Sequence, residues 1–286
     1  MTWHRLARTV EAQLPLDALR SAFGRTDIFA LDLDQCIFPG YTQTELGARL
    51  AWRLLRRPDR SADRRFLPQL GLGGVLFGVK EGRLLFGIDT PMRRLVAWYE
   101  RVMRGVPEPY VLAAAQAVPP ASFAYAADTV ALLATHAPTG IVSLGLDVVL
   151  RAYLDQFRTA DGPSLSYFDS NVVVFHGAAP QRTFHGYDAD VFLEHGGDKR
   201  RALECRMERC GAHTPTTIGH SDDDLPLAAL ARERGGLAIG FNPPARLCPA
   251  FDVVVRGHDW EPMYALVAML LAPPRPSATP APLDRG

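Results

Sequence analysis

The sequence predicts an α/β protein: a Rossmann-like parallel sheet with helices on both faces, plus an inserted, mostly helical cap. Three observations carry that expectation. Strand candidates rich in apolar or β-branched residues recur at 27–33, 139–144, 171–175, 215–219, 236–241 and 251–255. Helical patterns lie between most of them, at 124–136, 147–158, 198–210 and 222–234. Strands alternating with helices argue a parallel sheet covered on both sides. The stretch 40–127 breaks this alternation directly after the first strand, so it is expected to cap the sheet. The expected organisation is a discontinuous core of 1–39 and 128–272, a helical cap of 40–127, and a disordered proline-rich tail of 273–286.

Taken in order, residues 1–23 read as a helical leader with scattered apolar positions at Trp3, Leu6, Val10 and Leu14. Ile28-Phe29-Ala30-Leu31 reads as a buried strand too short to be a helix. Pro39-Gly40 closes the segment after it. In the cap, Glu45–Arg57 and Thr90–Met103 have helical patterns, while Gly71-Leu72-Gly73-Gly74 lacks the preceding strand and the spacing of a dinucleotide loop. Gly140 to Leu144 is a strand, with a helix from Asp147. Residues 181–195 resemble a hairpin more than a helix.

Composition narrows the function classes. At 286 residues the chain can bury a large core, and its net charge of zero argues against a dedicated nucleic-acid binder. Residues 41–127 carry 13 Lys+Arg against 7 Asp+Glu, so the cap is basic and the remainder acidic. If arginines such as Arg49, Arg53, Arg56 and Arg57 face the cleft, the substrate should carry a second anionic group. Cys36, Cys205, Cys210 and Cys248 form neither a CxxC pair nor a zinc spacing, which fits reduced thiols in a cytosolic protein. The N-terminus has no apolar signal region, and the longest apolar run, Tyr264 to Ala272, is too short to cross a bilayer. A soluble, cytoplasmic protein without a membrane partner is expected.

The chemistry begins at Asp32 and Asp34. Residues i and i+2 of an extended chain point to one side, and paired like charges are costly unless a cation or proton lies between them. Such a pair suits a nucleophile and an acid/base beside a divalent metal, or is simply two solvated aspartates in a loop. Ser143, at the end of a strand, could hold phosphate oxygens or serve as an N-cap. Lys199, in Gly197-Asp198-Lys199-Arg200, could neutralise a phosphoryl group and its attacking carboxylate, or be solvated. The run Gly219-His220-Ser221-Asp222-Asp223-Asp224 places more acids at a helix start than capping needs.

In this order and spacing, the four segments resemble the haloacid dehalogenase superfamily of phosphohydrolases, and most closely its phosphoserine-phosphatase-like branch. The resemblance runs from about residue 27 to 270 and includes the position of the cap, the hairpin before the lysine and Ile239-Gly240-Phe241-Asn242-Pro243. It implies a phosphatase acting on a small phosphorylated metabolite. Asp32 would be the nucleophile that forms an aspartyl-phosphate, and Asp34 would protonate the leaving oxygen and later activate water. Ser143 would bind phosphate, with Leu144 and Gly145 beside it, and Lys199 would offset charge. Magnesium would be held by Asp32, the backbone carbonyl of Asp34 and a fourth-motif acid such as Asp224.

Two positions depart from the pattern. His220 stands where the branch has a metal-ligating aspartate, which opens the choice of manganese or another transition metal. Tyr41 stands where phosphoserine phosphatases carry a substrate-reading glutamate, and Glu45 is the nearest acid; serine phosphate is therefore not implied as the substrate. Two rival readings share the fold: a phosphotransferase to an alcohol acceptor, and a degenerate binding protein that lost its metal.

Overall fold

The first elements of the computed structural model, which describes residues 3–56, 66–68, 71 and 92–273, are an antiparallel hairpin of β1 (His4–Ala7) and β2 (Val10–Ala12). This corrects the expected helical leader. The three- and four-residue spacing of Trp3, Leu6, Val10 and Leu14 imitates a helix, but Val10 and Ala12 are buried while Glu11 is exposed, a period of two. Pro15 then caps α1 (Leu16–Gly24), where its missing N–H costs no intrahelical bond.

β3 (Ile28–Leu31) is wholly buried. After it come α2 (Thr42–Leu55), α3 (Met92–Met103), α4 (Glu108–Ala115) and α5 (Ala126–Ala134). The chain returns as β4 (Thr139–Leu146), α6 (Asp147–Gln156), the short pair β5 (Arg158–Thr159) and β6 (Gly162–Pro163), then β7 (Tyr167–Asn171). A second hairpin pairs β8 (Val173–His176) with β9 (Thr183–Tyr187). The remaining elements are α7 (Gly196–Cys210), β10 (Pro215–Gly219), α8 (Leu225–Glu233), β11 (Ala238–Phe241), β12 (Val253–Val255) and α9 (Glu261–Leu271).

Two further expectations change. The single strand expected at 171–175 is two, since β7 joins the main sheet and β8 leaves it after Val172. The hairpin expected within 181–195 draws its first strand from 173–176; past Tyr187 the chain makes a 3₁₀ turn at Ala189–Val191. The glycines at 72–74, Arg57 and the tail from 274 lie outside the described residues.

The sheet order is β1-β2-β12-β11-β10-β3-β4-β7, with β12 through β7 all parallel and the N-terminal hairpin antiparallel on β12. β3 divides its side chains between the two faces. Ile28 and Ala30 pack with Val142, Leu203, Met207 and Leu230 under α7 and α8. Phe29 and Leu31 pack into the larger cluster with Phe23, Val130, Val149, Trp260 and Leu266, beneath α1, α5, α6 and α9. That cluster continues into Leu46, Leu50, Val102, Met103 and Val111, so α2, α3 and α4, between β3 and β4, sit on the same apolar body as the sheet. Burying each such side chain contributes about 1.5–3 kcal/mol.

Because β4 lies on one side of β3 and β10 on the other, the strand order reverses at β3. Open parallel sheets leave a crevice beyond the carboxyl ends of the strands at such a point. Asp32 is the first residue past β3 and stands there, its N–H still donating to the Ile218 carbonyl at 2.8 Å. Among the described residues no single helix is long and apolar enough to cross a membrane.

Candidate active site

Three neighbouring strands deliver the site. β3 ends into Asp32, and the loop behind it is tightly wound: Leu33 O accepts N–H groups from Cys36, Ile37 and Phe38. The buried Trp260 pins this loop by donating Nε1–H to Cys36 O at 2.7 Å. Asp34, within the loop, accepts the Thr42 N–H at Oδ1 (2.7 Å), at the N-terminus of α2. There the unpaired amides and helix dipole favour a carboxylate.

Lys199 enters from the first turn of α7, only 2 % exposed, and its Nζ lies 2.7 Å from Asp32 Oδ1 and 2.6 Å from Asp224 Oδ1. One ammonium therefore joins two buried carboxylates brought from opposite ends of the chain. Asp198 holds the start of α7 by accepting N–H groups from Glu194 and His195 and pairing with Arg201. Asp224 ends a 3₁₀ turn (Asp222–Asp224) and folds back against β10. Its Oδ2 accepts from His220 N, Ser221 N and Ser221 Oγ, so both of its oxygens are engaged. Gly219 permits this fold-back: a Cβ there would stand 2.5 Å from the Asp224 Cβ. The other two acids do different work. Asp223 Oδ1 accepts Gly196 N–H, tying the turn to α7, and Asp222 pairs with Arg246 at the surface.

Ser143 lies within β4 and is not an N-cap. β4 pairs with β7 up to Val142–Asp169 and resumes at Leu146–Asn171, so Ser143, Leu144 and Gly145 oppose a single residue. Bulges of this kind re-aim backbone groups beside functional sites. Gly145 N–H donates to Ser143 Oγ at 3.0 Å, and Asn171 Nδ2 donates to Leu144 O at 2.8 Å, bracing the bulge. A Cβ on Gly145 would come 3.1 Å from Ser143 Oγ and 3.5 Å from Thr42 Oγ1, filling the gap between them.

The electrostatics separate the two first-motif acids. Burial pushes the Asp32 carboxyl up, but Lys199 and His220 outweigh it and hold its pKa down at about 2. Asp34 is raised to about 6, chiefly by burial, with Asp32 adding to it and the Thr42 N–H opposing. Burial works against the Lys199 ammonium, yet its two carboxylates carry its pKa well above the ordinary value. One acid is thus ionised throughout the neutral range and the other exchanges protons near it.

His220 is the remaining polar group. Its Nδ1 is buried and makes no well-formed hydrogen bond, but lies within ion-pair reach of both acids, 3.2 Å from Asp32 Oδ2 and 3.5 Å from Asp224 Oδ2. Burial lowers the pKa of this imidazole, but Asp32 and Asp224 outweigh burial and raise it. Asp32, His220 and Asp224 each offer a donor atom within 4.8 Å of the others. A buried nitrogen that makes no hydrogen bond and faces a carboxylate oxygen fits a divalent cation between them.

Of the expected substrate contacts, Tyr41 is the N-cap of α2 and Glu45 is paired with Arg49 at 2.6 Å. Arg49, Arg53 and Arg56 line a cavity of about 380 Å³ with Trp52 and Ala117. These arginines are seven to fourteen residues beyond Thr42, or about 10–20 Å along the helix at 1.5 Å per residue. The lining of this cavity contains neither Asp32 nor Ser143. Sequence reasoning missed Thr42, whose N–H holds Asp34, and Asn171, which braces the bulge; an isolated Thr or Asn outside a motif gives no signal of such a role.

No protein-family model and no curated protein sequence matches the chain. Solved structures do. The chain is similar to a probable phosphoserine phosphatase from Vibrio cholerae, with TM-score 0.60 and 15% identity over 87% of this chain and 68% of that one. A substrate-bound phosphoserine phosphatase matches with TM-score 0.55 and 13% identity over 82% and 94%. Cytosolic 5'-nucleotidase IIIB bound to cytidine matches with TM-score 0.63 and 14% identity over 93% and 94%. With its reversal point at β3, its parallel sheet and its helices on both faces, the chain has the α/β fold of these phosphoserine phosphatases and of the nucleotidase.

Proposed function

We propose that this chain is a metal-dependent phosphatase of the haloacid dehalogenase type, hydrolysing a small phosphomonoester through an aspartyl-phosphate on Asp32. The observation that carries this reading is the buried Lys199 ammonium shared by Asp32 and Asp224. A structural ion pair needs one carboxylate; a second, at a strand end and flanked by a proton-exchanging acid, is what attack on phosphorus requires. Residues 40–127 would cap the site and the core would be 1–39 with 128–272.

In the first half-reaction an Asp32 oxygen bonds to phosphorus as the bond to the leaving oxygen breaks, and Asp34 gives its proton to that oxygen. In the second, Asp34 takes a proton from water, water oxygen bonds to phosphorus, and the Asp32–phosphorus bond breaks. A pKa of about 6 suits Asp34 to both transfers. Ser143 and the bulge amides bind phosphoryl oxygens, with Gly145 leaving them room, and Lys199 cancels charge between carboxylate and phosphoryl group. A divalent cation, magnesium or a transition metal, would be held by Asp32, the Asp34 carbonyl and His220, with Asp224 behind them; when bound it supplies further charge neutralisation at the phosphoryl oxygens.

A screen of phosphorylated metabolites with several divalent metals tests this, and phosphoserine and nucleoside monophosphates belong in it. The control is Asp34→Asn. Turnover should fall about 10²–10⁴-fold, because the amide cannot shuttle a proton. Stability should move the other way. An acid whose folded pKa lies above its unfolded value of about 3.9 weakens the fold as pH rises from 4 through 6. Allowing for the water that reaches this half-buried group, its removal should stabilise by about 1 kcal/mol at pH 7 and by nothing at pH 4. No phosphatase activity in the parent with any metal, or unchanged turnover in Asp34→Asn, would count against the proposal.

A further inference from the structure

We propose that His220 is a direct ligand, through Nδ1, and that it makes this site select manganese, cobalt or zinc over magnesium. The inference rests on the reading that a divalent cation binds beside Asp32, and it goes on to which cation.

Three features of the geometry lead there. His220 Nδ1 is buried and makes no hydrogen bond, while its own backbone N–H is committed to Asp224 Oδ2, which fixes the residue's place against the site. Asp224 has one oxygen on Lys199 and the other on three donors, so it is the carboxylate least free to ligate. Asp32 has one oxygen on Lys199 and the other, Oδ2, turned to His220.

The spacing is that of two ligands sharing one ion. Nitrogen and oxygen ligands bind such ions at about 2.0–2.2 Å. Neighbouring ligands on one ion are then about 3.0 Å apart in an octahedral site and about 3.4 Å apart in a tetrahedral one. Nδ1 lies 3.2 Å from Asp32 Oδ2. This distance falls between those edges, and in the tautomer with the ring proton on Nε2 the Nδ1 lone pair would be available to the ion.

Ligand chemistry sets the preference. Magnesium favours oxygen ligands and octahedral oxygen shells, whereas imidazole suits borderline transition ions. An imidazole in place of a carboxylate also removes one negative charge from the shell, which weakens a hard cation most.

The test reads binding rather than turnover. Titration calorimetry of the full chain with manganese and with magnesium should give affinity for manganese about tenfold or more above that for magnesium. Pulsed electron paramagnetic resonance of the manganese-loaded protein should detect coupling to an imidazole nitrogen. In His220→Asp the coupling should vanish and the affinity ratio should fall several-fold toward magnesium. Should that variant fold poorly beside Asp32 and Asp224, the nitrogen coupling in the parent alone decides the matter.

Nitrogen coupling absent from the manganese-loaded parent, or the same affinity ratio in both proteins, would overturn the inference; phosphatase turnover with magnesium would then leave the functional reading standing. If neither protein binds any divalent cation, both the inference and the metal-dependent reading fail.

Discussion

Asp32→Asn is expected to reduce phosphatase turnover by about 10⁴-fold or more, as loss of a nucleophile does, while the protein remains folded. The amide keeps the shape of the side chain, and Lys199 retains Asp224 as its partner, so no buried cation is stranded. The stability consequence is greatest near neutral pH and disappears in acid. A carboxyl held at about 2 when folded, against about 3.9 when unfolded, stabilises above pH 4, and that contribution is lost as pH falls through 2. The amide never has it, so the parent should lead in thermal stability at neutral pH and the two should converge toward pH 2. Retained turnover in a well-folded, contaminant-free preparation would remove Asp32 from its role.

Lys199→Met should be the most destabilising single change in the site. Asp32 and Asp224 are 5 % and 2 % exposed, and without the ammonium two buried carboxylates would face each other unneutralised. Breaking a buried pair from one side costs about 3–5 kcal/mol. For a chain of this size that is a fall in melting temperature on the order of 10 °C. The sign with pH follows from the acids left behind. The burial that pushes the Asp32 carboxyl up would no longer be opposed by the ammonium, so the penalty should grow as pH rises above about 4 and shrink below it. Combining Lys199→Met with Asp224→Asn should restore part of the loss, because only one charge then remains. A loss under about 1 kcal/mol at pH 7, the range of exposed pairs, would contradict the buried bridge.

Much of this was legible in the chain because two signals agree there. The apolar run Ile28–Leu31 and the β-branched runs at 215–219 and 251–255 read as strands, and each lies at a strand of the parallel sheet. The misreadings share a cause. The N-terminal spacing of three and four fits a helix wheel as well as it fits a hairpin, and only pairing with β12 decides between them. The run 171–175 changes sheets at Val172, a tertiary event with no local mark. In the site, the residue types of Asp32, Lys199 and Asp224 were visible, but not that one ammonium would bridge both acids. Motif order says nothing about the oxygen each acid leaves free. The direction of His220 Nδ1 depends on how Asp224 folds back over Gly219, which the order of residues does not reveal.

The covalent intermediate is the most direct measure of the central claim. Incubation with a ³²P-labelled phosphomonoester and a divalent metal, followed by acid quench, should leave label on the protein. That label should be released by hydroxylamine or alkali, as an acyl phosphate is, and should map to the peptide containing Asp32. Asp34→Asn should accumulate more of it if the second half-reaction slows more than the first, and Asp32→Asn should carry none. Label on Ser143 or another peptide, or turnover with no covalent phosphoenzyme at any quench time, would contradict the account.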